Sequence, residues 1–161
     1  MPRTSDLTGR ISELLARGRE IGKEELEEIV QYESDERIMP VDNFNIGLFF
    51  HYQRQYVDAL RCFGDALEAY ETLGEKLLEA YTHAHIGEGY LHRGNEFCRR
   101  GNHEDAVEMY AQSARAYLHV LKDVNQVRLE FVPMILSNAA TAFYNIEAFA
   151  QAHKLCTGYY S

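Results

Sequence analysis

The sequence predicts an all-helical protein made of antiparallel helix pairs, and three observations carry that prediction. The first is internal repetition: sliding the 161-residue chain against itself by 47 and then 46 positions aligns Phe50 with Phe97 and Phe143. In the same registers Gly47 meets Gly94 and Ala140, Ala59 meets Ala106 and Ala152, and Phe63 meets Tyr110 and Cys156. The second is spacing within a copy. Gly47 and Phe50 are three apart, and Ala59, Phe63, Ala66 and Tyr70 step by 4, 3 and 4, which is one stripe of a helix. The third is composition: three prolines and no tryptophan, with many Ala, Leu, Glu and Tyr, favour helix throughout.

In chain order, residues 7–17 and 23–33 read as two amphipathic helices, with Ile11, Leu14 and Leu15 on one stripe and Leu26, Ile29 and Val30 on the other. Gly18 and Gly22 bracket the break between them. This segment, 1–38, lies outside the repeat and is expected either to cap the first copy or to project as an arm. Residues 39–161 are expected to hold three helix pairs, about 40–73, 75–121 and 125–161. Copy one runs 41–53 and 56–73 and ends at Gly74; copy two runs 75–100 and 103–121; copy three runs 125–147 and 149–160. The polar breaks Gln53-Arg54-Gln55 and Arg99-Arg100-Gly101-Asn102 turn the chain between the helices of the first two copies. Pro40 and Pro133 share a repeat column near a helix start, where a missing N–H costs least. The small residues at 47, 59, 94, 106, 140 and 152 are expected where two helices cross closely, with the aromatics filling the space beside them.

These columns resemble the tetratricopeptide repeat (TPR). The family pattern of a Leu-Gly pair, an aromatic three residues on, then Ala and an aromatic four further, reads here as Ile46-Gly47-x-x-Phe50 with Ala59-x-x-x-Phe63. In copy two it reads Gly94-x-x-Phe97 with Ala106-x-x-x-Tyr110, and Gly101-Asn102-His103-Glu104-Asp105-Ala106 is similar to the family's turn. The family period is about 34 residues, so these helices must be longer. Ile86-Gly87-x-x-Tyr90 offers a second register seven residues before Gly94, which suits an extended helix. The resemblance implies a TPR-like α-solenoid, a right-handed superhelix of helix pairs whose first helices line a concave groove. By column, the groove residues it implies are Asn45, Leu48 and Tyr52 in copy one, Glu88, Leu91, His92, Asn95 and Arg99 in copy two, and Asn138, Thr141 and Asn145 in copy three. Asn45, His92 and Asn138 share one column, and amide side chains there can pair with both N–H and C=O of an extended peptide. Co-chaperones of this family grip a C-terminal carboxylate with lysines and an arginine beside two asparagines. Asn95 and Asn138 match the asparagines, but Leu91 stands in the lysine place. A clamp without cations has little attraction for a carboxylate.

The function classes follow from charge and chemistry. Twenty-five acids against sixteen bases give a net charge of −9, against the basic footprint that nucleic acid and anionic membranes need. No apolar run approaches the roughly 18 residues of a membrane span, and the N-terminus lacks the apolar stretch of a signal peptide. Three widely separated cysteines imply neither a disulfide framework nor a CxxC zinc site, which suits a cytoplasmic compartment. Gly87-x-Gly89 followed by Gly94 has the wrong spacing for a dinucleotide fingerprint. His85, Glu88 and His92 put three metal-ligand types on one helical face, but without HExxH or paired ExxH patterns a polar groove face is the better reading. The acidic run Glu24 to Glu28 reads as a solvated helix face.

The expectation is therefore a non-enzymatic protein-binding module without cofactor or metal, an adaptor or chaperone-like protein holding a partner peptide. A dedicated chaperone for an exported protein and a regulatory helical protein binding a metal or small ligand are the alternatives. Self-association is expected because no further helix covers Phe149, Leu155 and Tyr159, either through this end face or through a swap of the helices in 7–33 onto a neighbour; the alternative is a piece of a longer array.

Overall fold

The computed structural model describes residues 4–17, 22–33, 38–122 and 132–158. Among them the chain forms seven α-helices and no strand: α1 (Thr4–Arg17), α2 (Lys23–Glu33), α3 (Pro40–Tyr52), α4 (Tyr56–Leu73), α5 (Lys76–Arg99), α6 (His103–Lys122) and α7 (Val132–Gly158). The chain divides into two compact units, Met1–Thr82 and His83–Ser161.

In the first unit, α3 starts where the chemistry favours a start. Pro40 occupies the first turn, and the extended Met39 ahead of it (φ −82°, ψ 157°) donates its N–H to the Asp42 carboxylate at 3.0 Å. Thr8 of α1 donates its hydroxyl to the same Asp42 oxygen at 3.1 Å. Asp42 is fully buried. Both donors meet Oδ2 and the helix N-terminus favours the negative charge, while Oδ1 is buried with no hydrogen-bond partner among the described residues, so the cost of burying this carboxylate is only partly offset. α1 and α2 both pack on α3. Ile11, Leu14 and Ile29 are buried as their stripes require, whereas Val30 is 49% exposed and departs from its stripe. The side chains of Leu15 and Leu26 lie outside the described residues.

α3 ends in a Schellman turn. Gln55 N–H reaches Phe50 C=O at 2.9 Å and Arg54 N–H reaches His51 C=O at 3.0 Å. The next hairpin repeats these bonds 47 residues on: Asn102 N–H to Phe97 C=O at 2.9 Å and Gly101 N–H to Cys98 C=O at 3.1 Å. The turn residue has positive φ in both, 60° at Arg54 and 77° at Gly101. Gly74 closes α4 in the same way at φ 71°.

Glycines decide how closely the paired helices approach. A Cβ on Gly47 would lie 2.7 Å from the ring of the fully buried Phe63 and 3.3 Å from the Ala59 carbonyl. On α5, a Cβ on Gly94 would lie 2.5 Å from Tyr110, and one on Gly87 would lie 2.9 Å from Tyr117. Both registers seen in the sequence of α5 are thus contacts with α6. Their order, 87 with 117 and 94 with 110, makes the pair antiparallel. Ser113, in the column of Ala66, donates its hydroxyl to Gly87 C=O at 2.7 Å inside this crossing.

The third copy departs from expectation. α7 runs unbroken through 147–149, where a turn was expected between two helices. The column that holds Arg54 and Gly101 holds Glu147 here, a good helix former that has no reason to adopt positive φ. The buried face of α7 is also out of register: Ile135, Ala139 and Ala142 are buried, while Ala140 and Phe143, the counterparts of Gly94 and Phe97, are exposed. Residues 123–131 and the side chains of Phe149, Ala152, Leu155, Cys156 and Tyr159 lie outside the described residues.

Candidate functional site

The groove residues expected from copy one come together. Asn45, Leu48 and Tyr52 project from successive turns of α3 and line one open groove with Phe49, Gln53 and, from α1, Ser12 and Ala16. Its volume is about 360 Å³. That is near the lower end of the roughly 300–1,000 Å³ typical of small-ligand sites, room for a few side chains. The floor is apolar, with Phe49 buried, and the amides of Asn45 and Gln53 and the Ser12 hydroxyl supply polar groups among the lining residues. The α1 residues were not legible as groove-lining. The Ile11/Leu14 spacing shows that α1 packs, but not on which helix.

α1 is fixed beside this groove partly by charge. Arg10 donates from Nε and Nη2 to the two oxygens of Glu28 on α2, each at 2.9 Å, and the Tyr32 hydroxyl also donates to Glu28. The Arg10 guanidinium and the Tyr32 hydrogen bond outweigh the effect of burial and hold the Glu28 carboxyl down at about 2. Arg17 pairs with Glu25, whose carboxylate also accepts the Gly22 N–H at 2.8 Å. That N–H and then Arg17 lower the Glu25 carboxyl. Two members of the acidic run are therefore engaged by α1 rather than simply solvated.

In the second unit the expected residues scatter. Leu91 is only 8% exposed and belongs to the core with Ala106, Tyr110, Ala114 and Ala142. Its expected place on a groove face is corrected because Ala142 of α7 joins the cluster that encloses it. Asn95 accepts the Tyr110 hydroxyl at 2.7 Å. Asn138 donates its amide to the Tyr117 hydroxyl at 3.2 Å. Both amides thus have an internal partner on α6. Burial pushes the Tyr117 phenol well above its ordinary value, and the Asn138 bond opposes that only partly. Thr141 is exposed and turns its hydroxyl back to Ser137 C=O at 2.9 Å. Arg99 is exposed at the end of α5, and Asn145 is half-buried on α7.

Glu88 sits between two imidazoles on α5, with one oxygen 3.8 Å from His85 Nδ1 and the other 3.7 Å from His92 Nε2. This is a short charge ladder along one helix face when the histidines are protonated. His83 and His119 stack at 4.7 Å between centroids and 9° between planes, an aromatic contact joining α5 to α6 that no repeat column signalled.

No protein-family model, curated protein or solved structure matches this chain. Among the described residues no helix is long and apolar enough to cross a membrane.

Proposed function

We propose that this chain is a non-enzymatic binding module that resembles the tetratricopeptide repeats, an adaptor or chaperone-like protein that holds a short apolar segment of a partner protein. The observation that carries the reading is the α1–α3 groove, where Asn45, Leu48 and Tyr52 line one concave surface with an apolar floor and polar groups beside it. Apolar side chains of a bound segment would enter the floor, while Asn45 and Gln53 would pair with its backbone. The Schellman turns recurring 47 residues apart and the glycine–aromatic crossings support the repeat resemblance. The right-handed superhelix belongs to the same proposal, as does a reducing, cytoplasmic setting, which the free thiols of Cys62 and Cys98 suit.

The test is selection of linear peptides from a displayed library on the immobilised protein, followed by titration of the recovered peptides. Leu48→Glu and Asn45→Ala should each weaken binding at least tenfold with the melting curve nearly unchanged. Peptides that bind both variants as tightly as the parent would overturn the groove reading.

A further inference from the structure

The helix that broke the repeat pattern leaves one apolar face exposed among the described residues. Residues 132–146 contain no Asp, Glu, Lys, Arg or His and make up all but the first residue of the longest such stretch in the sequence, 131–146. A helix apolar on most sides is ordinarily covered on most sides. On α7, Leu136, Phe143 and Tyr144 are 49%, 47% and 73% exposed, and Ser137 and Ala140 are exposed between them. Leu136, Ala140, Phe143 and Glu147 step by 4, 3 and 4 along one stripe, flanked by Ser137 and Tyr144.

We propose that this face is a self-association surface, on which the α7 of a second copy packs antiparallel with Ala140 at the two-fold axis. Two features of the face select that occupant. The first is charge. A chain of net charge −9 repels its own copy over most of its surface, and the part of this face from Leu136 to Tyr144, which carries no charged side chain, is where two copies approach with the least of that penalty. With Glu147 alone at its edge, the face also gives little attraction to a basic or acidic partner.

The second is shape. A two-fold through Ala140 places position 136 opposite 144 and 137 opposite 143. The small Ser137 then receives Phe143 of the second copy, and Leu136 packs against its Tyr144. Each contact occurs twice, as an isologous interface requires, and the small Ala140 lets the helices approach at the crossing. The exposed parts of these side chains on both copies come to on the order of 800 Å², below the size of standard stable interfaces, so the dimer is concentration-dependent. This inference uses none of the groove residues and stands apart from the proposed function.

Sedimentation equilibrium of the full chain from one to several hundred micromolar tests it. The parent should rise from 18.6 kDa towards twice that mass with concentration. Phe143→Glu and Leu136→Glu should each stay near 18.6 kDa over the whole range, while Val57→Glu, at an exposed position of α4, should behave as the parent. Ala140→Cys gives a second readout in a minimally changed helix. Its two thiols, facing each other across the axis, should join in one disulfide, passing two electrons and two protons to oxidised glutathione, which becomes two reduced molecules. The parent under the same conditions is the control for its native thiols. A parent that is monomeric throughout, a dimer that survives both glutamate variants, or a dimer in which Ala140→Cys does not cross-link faster than the parent would each overturn the proposal.

Discussion

The hairpin α3–α4 and the helix α7 share repeat columns and end as different structures. In the hairpin, Gly47 lets the Phe63 ring lie against the α3 backbone, and Arg54 takes positive φ so that the chain can reverse. In α7 those columns hold Ala140 and Glu147; the chain does not reverse, and Phe143 stays half-exposed. Aligned apolar letters were present in both. What separates them is backbone geometry: a glycine where a ring must touch the main chain, and a residue held at positive φ where the helix must stop.

The sharpest test of this contrast is to truncate the aligned aromatics. Phe63→Ala should cost about 3–5 kcal/mol, because it empties a fully buried site. Phe143→Ala, measured at low micromolar concentration in urea, should change stability by less than about 0.5 kcal/mol. Equal losses would mean that α7 packs in the register of the hairpins after all.

The next effect concerns glycine. Gly94→Ala forces a Cβ to within 2.5 Å of Tyr110, a ring buried in the core and bonded to Asn95. Overpacking of about 1–3 kcal/mol should outweigh the roughly 1 kcal/mol gain in helix propensity. Gly64→Ala has nothing within 4 Å and should stabilise by about 0.5–1 kcal/mol. Two stabilising substitutions in thermal melts would show that the glycine–tyrosine contact is not tight.

Smaller again is the turn. Gly101→Ala should lose about 1 kcal/mol, since alanine at φ 77° is strained. Arg54→Gly should gain up to about 1 kcal/mol by relieving the same strain. Opposite signs at these two positions would confirm that one turn serves both hairpins.

The smallest effect separates packing from charge. The hairpins are held by buried rings, while α1 is tied to α2 by the Arg10–Glu28 pair. The Glu28 carboxyl titrates at about 2 when folded against an ordinary 4.5, so its contribution is present above pH 4.5 and is lost as pH falls from there towards 2. The pair is partly solvated, so Glu28→Gln should cost no more than about 1 kcal/mol near neutral pH and should flatten the stability profile over that acid window. An unchanged acid profile would move the pH dependence to other carboxylates.

Helix content, the boundaries of α3 to α6, and the Gly47–Phe63 and Gly94–Tyr110 crossings were legible in the sequence. The helices and turns rest on local rules, a 3.6-residue period, proline at a helix start and a polar break between stripes, and the crossings on the recurrence of small and aromatic columns between copies. Of the candidate groove, Asn45, Leu48 and Tyr52 were legible because they share one face of a single helix. Ser12 and Ala16 were not, since nothing local says where α1 docks. Leu91, Asn95 and Asn138 show a further limit, because a position on a helix face does not reveal whether another helix covers that face. The sequence by itself determined the helices α3 to α6 and where the first two hairpins turn, because those depend on neighbours three to five residues away. Only the tertiary structure decided which face of α7 is buried, which amides serve tyrosines, and that α1 forms one wall of the groove. Those outcomes depend on the fit between surfaces far apart in the chain, and in an uncharged helix such as 132–146 more than one face is apolar enough to be chosen.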